Sequence, residues 1–224
     1  MVNIAAFTID GAWRQALQMC YREGYRYEIE KGSYEGETRI QLPAVAIEIR
    51  TPYVRPLTPY IPPHLPPVTS EEKIENYFKE YLIGVGLKEN EQYTYGSWIV
   101  PQLERVISNL IESHGNTNQA AISIGDSEAV TLDDPPCLRV ISFKCVPVGK
   151  TLMKLNVSVF FRSWDLVAGF PQNLGGIQLL KEYVLGFISD FCVDGAMFAY
   201  SDGLHIYYPM YKPLLKELVF GVED

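Results

Sequence analysis

The sequence predicts an α+β fold, with one large mixed β-sheet and helices packed mainly on one face of it. Three observations predict this. Segments rich in β-formers at 25–31, 38–50, 119–124, 138–147, 151–161 and 195–208 are interspersed with helical patterns without strict alternation, which excludes a doubly wound parallel sheet. Segment 173–192, NLGGIQLLKEYVLGFISDFC, carries apolar residues almost all round, the pattern of a buried central helix. The chain has 224 residues, enough for one substantial core and awkward to split, so 1–224 is expected to be a single domain.

In chain order, 10–23 reads as a helix with Asp10 as N-cap, Trp13, Leu17 and Cys20 at helical spacing, and Gly24 at its end. Segments 25–31 and 38–50 read as two strands joined by the turn GSYEGE. Between 52 and 67 lie seven prolines, which excludes a helix or an inner strand. An ordered extended loop is expected there, anchored by Tyr53, Tyr60 and Leu65. Ser70 opens an amphipathic helix at 70–83, through Ile74, Tyr77, Phe78 and Tyr81. A further helix is expected at 99–113, closed by His114-Gly115-Asn116, and a short one at 211–219.

Hydrophobic residues make up 47% and charged residues 21%, as in an ordinary globular protein. The net charge of -8, with scattered basic residues, argues against a nucleic acid polymer as partner. No apolar run approaches the roughly 20 residues of a membrane span, so no membrane association is expected. The segment MVNIAAFTIDGAWRQ lacks a secretory pattern, and a cytoplasmic protein is expected. The four cysteines form no C-x-x-C pair and the three histidines are far apart, so no metal site and no disulfide framework is expected. Cys20, Cys145 and Cys192 read as small buried residues.

Three segments place polar residues where a core would not want them. Asp133-Asp134-Pro135-Pro136-Cys137 precedes a strand, and its prolines force a rigid approach that can turn Cys137 toward a cleft. Read alone, Cys137 is more often a buried filler. In Arg162-Ser163-Trp164-Asp165 a strand ends, a Gly-Pro turn follows, and Asn173 opens the apolar helix. The arginine can fork a phosphate and lower a nearby thiol pKa, and the asparagine carries both donor and acceptor. A plain N-cap would also account for Asn173. His205 and Tyr207 stand two apart in a strand and so share a face.

Together these segments resemble the thymidylate synthase family. Pro136-Cys137, Arg162-Ser163-x-Asp165, Gly169-Phe170-Pro171-Gln172-Asn173 and His205-Ile206-Tyr207 follow the family's order with similar spacings, over about 135–208. Tyr93-Thr94-Tyr95-Gly96-Ser97-Trp98 looks like its Tyr-Gly segment, and the compact length is similar to the archaeal branch. The resemblance implies a thymidylate synthase-like fold. It also implies that Cys137 adds as thiolate to C6 of a dUMP-like pyrimidine nucleotide, making C5 a carbon nucleophile. C5 then takes up a methylene from 5,10-methylenetetrahydrofolate or methylene-tetrahydromethanopterin, with hydride from the same donor and no metal. It implies Arg162 and Ser163 at the phosphate, with Arg162 also keeping Cys137 ionised, and Asn173 reading uracil. Asp165 would lie between base and cofactor, His205 and Tyr207 at the ribose 3′-hydroxyl, and Tyr95 would assist proton transfer. The family's catalytic glutamate is expected on the 70–83 helix, where Glu75 and Glu80 both fit. The family is a homodimer whose partner supplies two phosphate arginines.

Here that arginine pair is replaced by Asn118-Gln119, which leaves Arg39, and Arg139 two residues beyond Cys137, as candidates to compensate. The C-terminal Val219–Asp224 lacks the family's apolar tail. Two other functions stay open: a pyrimidine nucleotide 5-hydroxymethylase acting on dUMP, dCMP or CMP, in which water replaces the hydride, and a non-catalytic nucleotide-binding relative.

Overall fold

A computed structural model describes residues 1–31, 34–89 and 91–219. The large sheet is six-stranded and mixed. Its strands are β1 (Val2–Ala6), β4 (Val45–Ile49), β5 (Ala121–Ser123), β6 (Leu138–Pro147), β7 (Met153–Phe161) and β9 (Cys192–Ser201), in the order β1-β4-β9-β7-β6-β5. The helices are α1 (Ile9–Glu23), α2 (Glu71–Asn76), α3 (Gly96–Glu112), α4 (Gly169–Gly186) and α5 (Tyr208–Leu218). The expected α+β architecture is present, with α1, α3 and α4 against the large sheet.

A smaller sheet accompanies it, in the order β2 (Tyr25–Glu28), β3 (Thr38–Leu42), β10 (Leu204–Tyr207), β8 (Trp164–Asp165). It arises because two expected strands are each divided. Segment 38–50 breaks at Pro43-Ala44, so β3 joins the small sheet and β4 the large one. Segment 195–208 breaks at Asp202-Gly203 and divides in the same way into β9 and β10. These breaks carry Arg39 on β3 and His205 on β10 to a common edge, in a sheet distinct from the one that Cys137 precedes.

The N-cap of α1 is Thr8, whose hydroxyl accepts from the Gly11 amide, and not Asp10, which lies inside the first turn and pairs with Arg14. The proline-rich segment is an ordered path without helix or strand. Its buried anchor is Leu57, at 1% exposure, with Leu65 packed partly on the core. Tyr53 and Tyr60 point outward instead. Helix α2 begins at the Ser70 cap and continues as a π-helical stretch over Tyr77–Leu82, a wider turn that changes which residues face inward. Helix α4 starts four residues before Asn173. Asp165 ties down the turn that leads into it, accepting from the amides of Val167, Ala168 and Gly169 at 3.0, 3.2 and 2.9 Å.

Gly175 and Gly176 explain the close approach of α2 to α4. A Cβ on Gly175 would meet Ile74 at 2.8 Å, and one on Gly176 would collide with the ring of Tyr77. The two glycines forgo helix propensity of about 1 kcal/mol each and let this contact form.

Candidate functional site

Cys137 ends the loop that enters β6. It is half-buried, whereas Cys20, Cys145 and Cys192 are buried. The loop is tied down by Arg162. Its backbone amide donates to the Cys137 carbonyl at 2.9 Å, and its guanidinium donates to the Pro136 carbonyl at 3.1 Å and to that of Pro135. The guanidinium also faces Asp134 at 3.9 Å. Burial pushes the Cys137 thiol up from its ordinary value. Arg162 and, more weakly, Arg39 pull it down, and Asp134 adds to the rise. Arg162 thus favours the thiolate, while burial and Asp134 oppose it. In this geometry Arg162 also spends much of its donor capacity on carbonyls.

Four tyrosines lie within the electrostatic reach of the thiol: Tyr77 and Tyr81 from the π-helical stretch, Tyr93, and Tyr95 at the start of α3. Tyr77 stacks on Tyr81 with centroids 5.7 Å apart, Tyr81 meets the edge of Tyr95 at 5.0 Å, and Tyr93 lies 5.8 Å from Tyr95. Cys137 acts electrostatically on all four, and burial raises the pKa of each, Tyr81 to about 12. The hydroxyl of Tyr95 accepts from the Leu138 amide at 3.2 Å, so it touches the backbone beside the thiol. The hydroxyl of Tyr77 is buried and lacks a hydrogen-bond partner. The Asn173 side chain lies close enough to lower its pKa without making a well-formed bond.

Glu75 and Glu80 do not join this group. Their side chains are 56% and 52% exposed, paired with Lys79 at 2.8 Å and Lys88 at 2.6 Å. Glu80 lines the outer cleft, and Tyr77 holds the inward position. Tyr77 lies on the apolar face that helical spacing gives this helix, and the bare backbone of Gly176 leaves room for its ring.

On the other side, Asn173 Oδ1 accepts from the Trp164 indole N–H at 3.0 Å. Trp164 is clamped between Phe161 and Phe170, with centroids 4.2 and 4.6 Å away. Asp165 has some open surface, but its carboxylate is enclosed, and burial raises its pKa against the three amides and Arg39. Ser163 is half-buried in the bend between β7 and β8.

Arg39 is the common neighbour. Its guanidinium donates to the hydroxyls of Tyr207 at 3.0 Å and Tyr27 at 3.4 Å, lies 5.1 Å over the Tyr207 ring, and keeps a buried Nε without a partner. It bears electrostatically on Cys137, Asp165 and His205. His205 is 2% exposed, its Nδ1 lies 2.9 Å from the Gly203 carbonyl, and its buried Nε2 has no partner. A carbonyl only accepts, so Nδ1 carries the proton and Nε2 presents a lone pair. Burial lowers the His205 pKa to about 4. His205 and Tyr207 rings meet edge-on at 4.9 Å, on one face of β10.

Asn118 and Gln119 are exposed in the loop before β5, where Lys144 donates to the Thr117 carbonyl and to Asn118 Oδ1 at 2.5 Å. Arg139 sits at a register shift of β6, and its guanidinium lies over Gly125, away from the groups acting on Cys137. The tail residues 220–224 lie outside the described residues. Helical spacing places Tyr77 and Tyr81 on the apolar face of the 70–83 helix, and Tyr93 and Trp164 lie inside the family-like motifs, but nothing in the sequence gives these four a role at the site. Among the described residues there is no cluster of His, Cys, Asp and Glu able to hold a metal, and no helix long and apolar enough to cross a membrane.

No family model matches the chain. Archaeal homologues named "Putative thymidylate synthase" do match. The one from Methanosarcina acetivorans is 29% identical over 210 residues, covering 91% of this chain and 88% of its own. The one from Methanococcoides burtonii is 26% identical over the same shares. The fold is that of the thermostable thymidylate synthase A of Bacillus subtilis, with a TM-score of 0.69 and 12% identity, covering 93% of this chain and 83% of that one.

Proposed function

We propose that this chain, which has the thymidylate synthase fold and archaeal homologues carrying that name, is a thymidylate synthase that methylates C5 of dUMP. The observation that carries the reading is the position of Cys137. A half-buried thiol at the entry to β6 of the large sheet stands within the electrostatic reach of unpartnered polar groups, Arg39 Nε on the small sheet and the Tyr77 hydroxyl after α2. Cys137 attacks C6 of the pyrimidine, and Arg162 draws its proton equilibrium toward the thiolate. Asn173 meets the base edge. Arg39, with a free Nε, and Arg162 and Ser163 take the phosphate. His205 Nε2 accepts from the ribose 3′-hydroxyl, and Tyr207 flanks it. The Tyr95 hydroxyl, beside Leu138, relays protons through water.

The one-carbon donor is a reduced folate or methanopterin. A cleft of about 380 Å³ next to Tyr77 fits such a planar, hydrogen-bonding ring, with Tyr81 as an aromatic face and Asn76 and Gln172 as paired donors and acceptors. When bound, this group supplies the methylene and the hydride. Asp165, fixed by the amides of the turn into α4, borders the nucleotide side.

The same reading places the protein in the cytoplasm as a homodimer. The outer face of the large sheet supports the dimer: Val140 and Tyr200 are exposed there, and Phe160 and Phe198 are half-buried beside them on alternate strand positions. Lys144 on that face supplies a cation beside Asn118.

The test is intact-protein mass after incubation with 5-fluoro-dUMP and either methylene-carrying donor. An adduct that disappears in Cys137→Ala is expected, and its absence from the parent chain with both donors refutes the proposal. With dUMP, a thymidylate product is expected; a 5-hydroxymethyl product would assign the chain to the hydroxymethylases instead.

A further inference from the structure

We propose that the Tyr77 hydroxyl is a catalytic hydrogen-bond donor to the C4 oxygen of the pyrimidine, acting beside the Asn173 amide. The inference rests on the thymidylate synthase reading and adds to it a residue that the motifs do not contain.

The first observation is an unsatisfied group. Tyr77 is 9% exposed, and its hydroxyl has no partner. Burying a hydroxyl without a partner is unfavourable, a cost that a bound ligand offering an acceptor would offset. The second is how firmly the ring is held. Gly176 packs against it so closely that there is no room for even a Cβ, and Tyr81 stacks on it at 5.7 Å. The hydroxyl is therefore pre-positioned rather than free to seek water. The third is its setting: the Tyr77 hydroxyl lies beside the Asn173 side chain and within the electrostatic reach of Cys137.

Trp164 then determines which end of Asn173 is offered. The indole N–H binds Oδ1 at 3.0 Å, and two flanking rings hold the indole in place. The amide nitrogen is the end left to donate. Asn173 N–H and Tyr77 O–H together form a two-donor site, complementary to a carbonyl oxygen and not to an amino group.

The chemistry needs such a site. As the Cys137 sulfur bonds to C6, the C5=C6 π bond opens and its electrons move through C4 onto the oxygen. One S–C bond forms, one π bond breaks, no atom leaves, and the charge passes from sulfur to O4. Tyr77 keeps its proton and donates a hydrogen bond to that enolate oxygen, the placement that lowers a barrier most. Desolvation raises the phenol pKa well above its ordinary value, so the donor stays protonated at working pH.

The test compares Tyr77→Phe with the parent chain. Removing an unpartnered hydroxyl should leave the melting temperature unchanged or higher. Calorimetric dUMP affinity should change by no more than about threefold, while covalent capture of 5-fluoro-dUMP with the methylene donor slows by about 100-fold or more. The preference for dUMP over dCMP should narrow. Capture at the parental rate overturns this inference and leaves the proposed function intact. A lower melting temperature overturns it as well, because the hydroxyl would then serve the fold. Absence of capture by the parent chain removes both.

Discussion

His205 is a buried histidine that the fold keeps neutral, and this makes stability depend on pH in a calculable way. Its pKa falls from an ordinary 6.5 to about 4, first because burial penalises the imidazolium and then because Arg39 repels it; the Gly203 carbonyl opposes both. Between those two values the unfolded chain binds more protons than the native one, so stability falls as pH falls from 6.5 toward 4. At pH 5 an unfolded histidine is almost fully protonated, while His205 is about nine-tenths neutral. At about 1.4 kcal/mol per pKa unit, the resulting loss from pH 7.5 to pH 5 is about 2 kcal/mol. In His205→Asn the side-chain amide can still donate to the Gly203 carbonyl but does not titrate. Urea unfolding of both proteins at pH 7.5 and pH 5 should therefore show a parental acid loss about 2 kcal/mol larger than that of the variant. Effects of the other carboxylates and histidines are common to both and cancel. Equal losses in the two proteins would refute the reasoning, because His205 would then titrate alike in the folded and unfolded states.

Two further outcomes are expected. Lys181 is fully buried, donates to the Gly195 carbonyl at 2.7 Å and pairs with Asp194 at 2.6 Å. Lys181→Met should cost about 3–5 kcal/mol in urea unfolding, since it strands a largely buried carboxylate, and a cost below about 1 kcal/mol would refute this. Alkylation of Cys137 by iodoacetamide should rise with a midpoint above the ordinary thiol range, because burial outweighs Arg162. In Arg162→Gln the midpoint should move higher still, and a downward shift would contradict the assigned sign.

Much of the fold was legible because it rests on local periodicity. The apolar faces of α3 and α4, the capping serine of α2 and the long strand β6 all follow from side-chain spacing along a single element. The proline run declared its own lack of regular structure. The division of 38–50 and of 195–208 between two sheets was not legible. A strand's period of two survives a break at Pro43 or Gly203 unchanged, and the choice of partner strand depends on residues far along the chain.

The site divides along the same line. The sequence by itself determined that Cys137, Arg162, Asn173, His205 and Tyr207 occur in a characteristic order, and that Cys20, Cys145 and Cys192 belong to the core. Only the tertiary structure decided what each group faces. Arg162 turns to the carbonyls of Pro135 and Pro136, Arg39 becomes the shared neighbour of four site residues, and Asp165 is held by the amides of the turn into α4. On the helix after Ser70, the family resemblance offered Glu75 and Glu80, but both are exposed and the inward position belongs to Tyr77, on the face that spacing marks as apolar. The physical reason is that a helix's phase is set by what it packs against. The bare backbone of Gly176, one helix away, leaves the space that the Tyr77 ring fills, and that is not encoded within the segment that carries Tyr77.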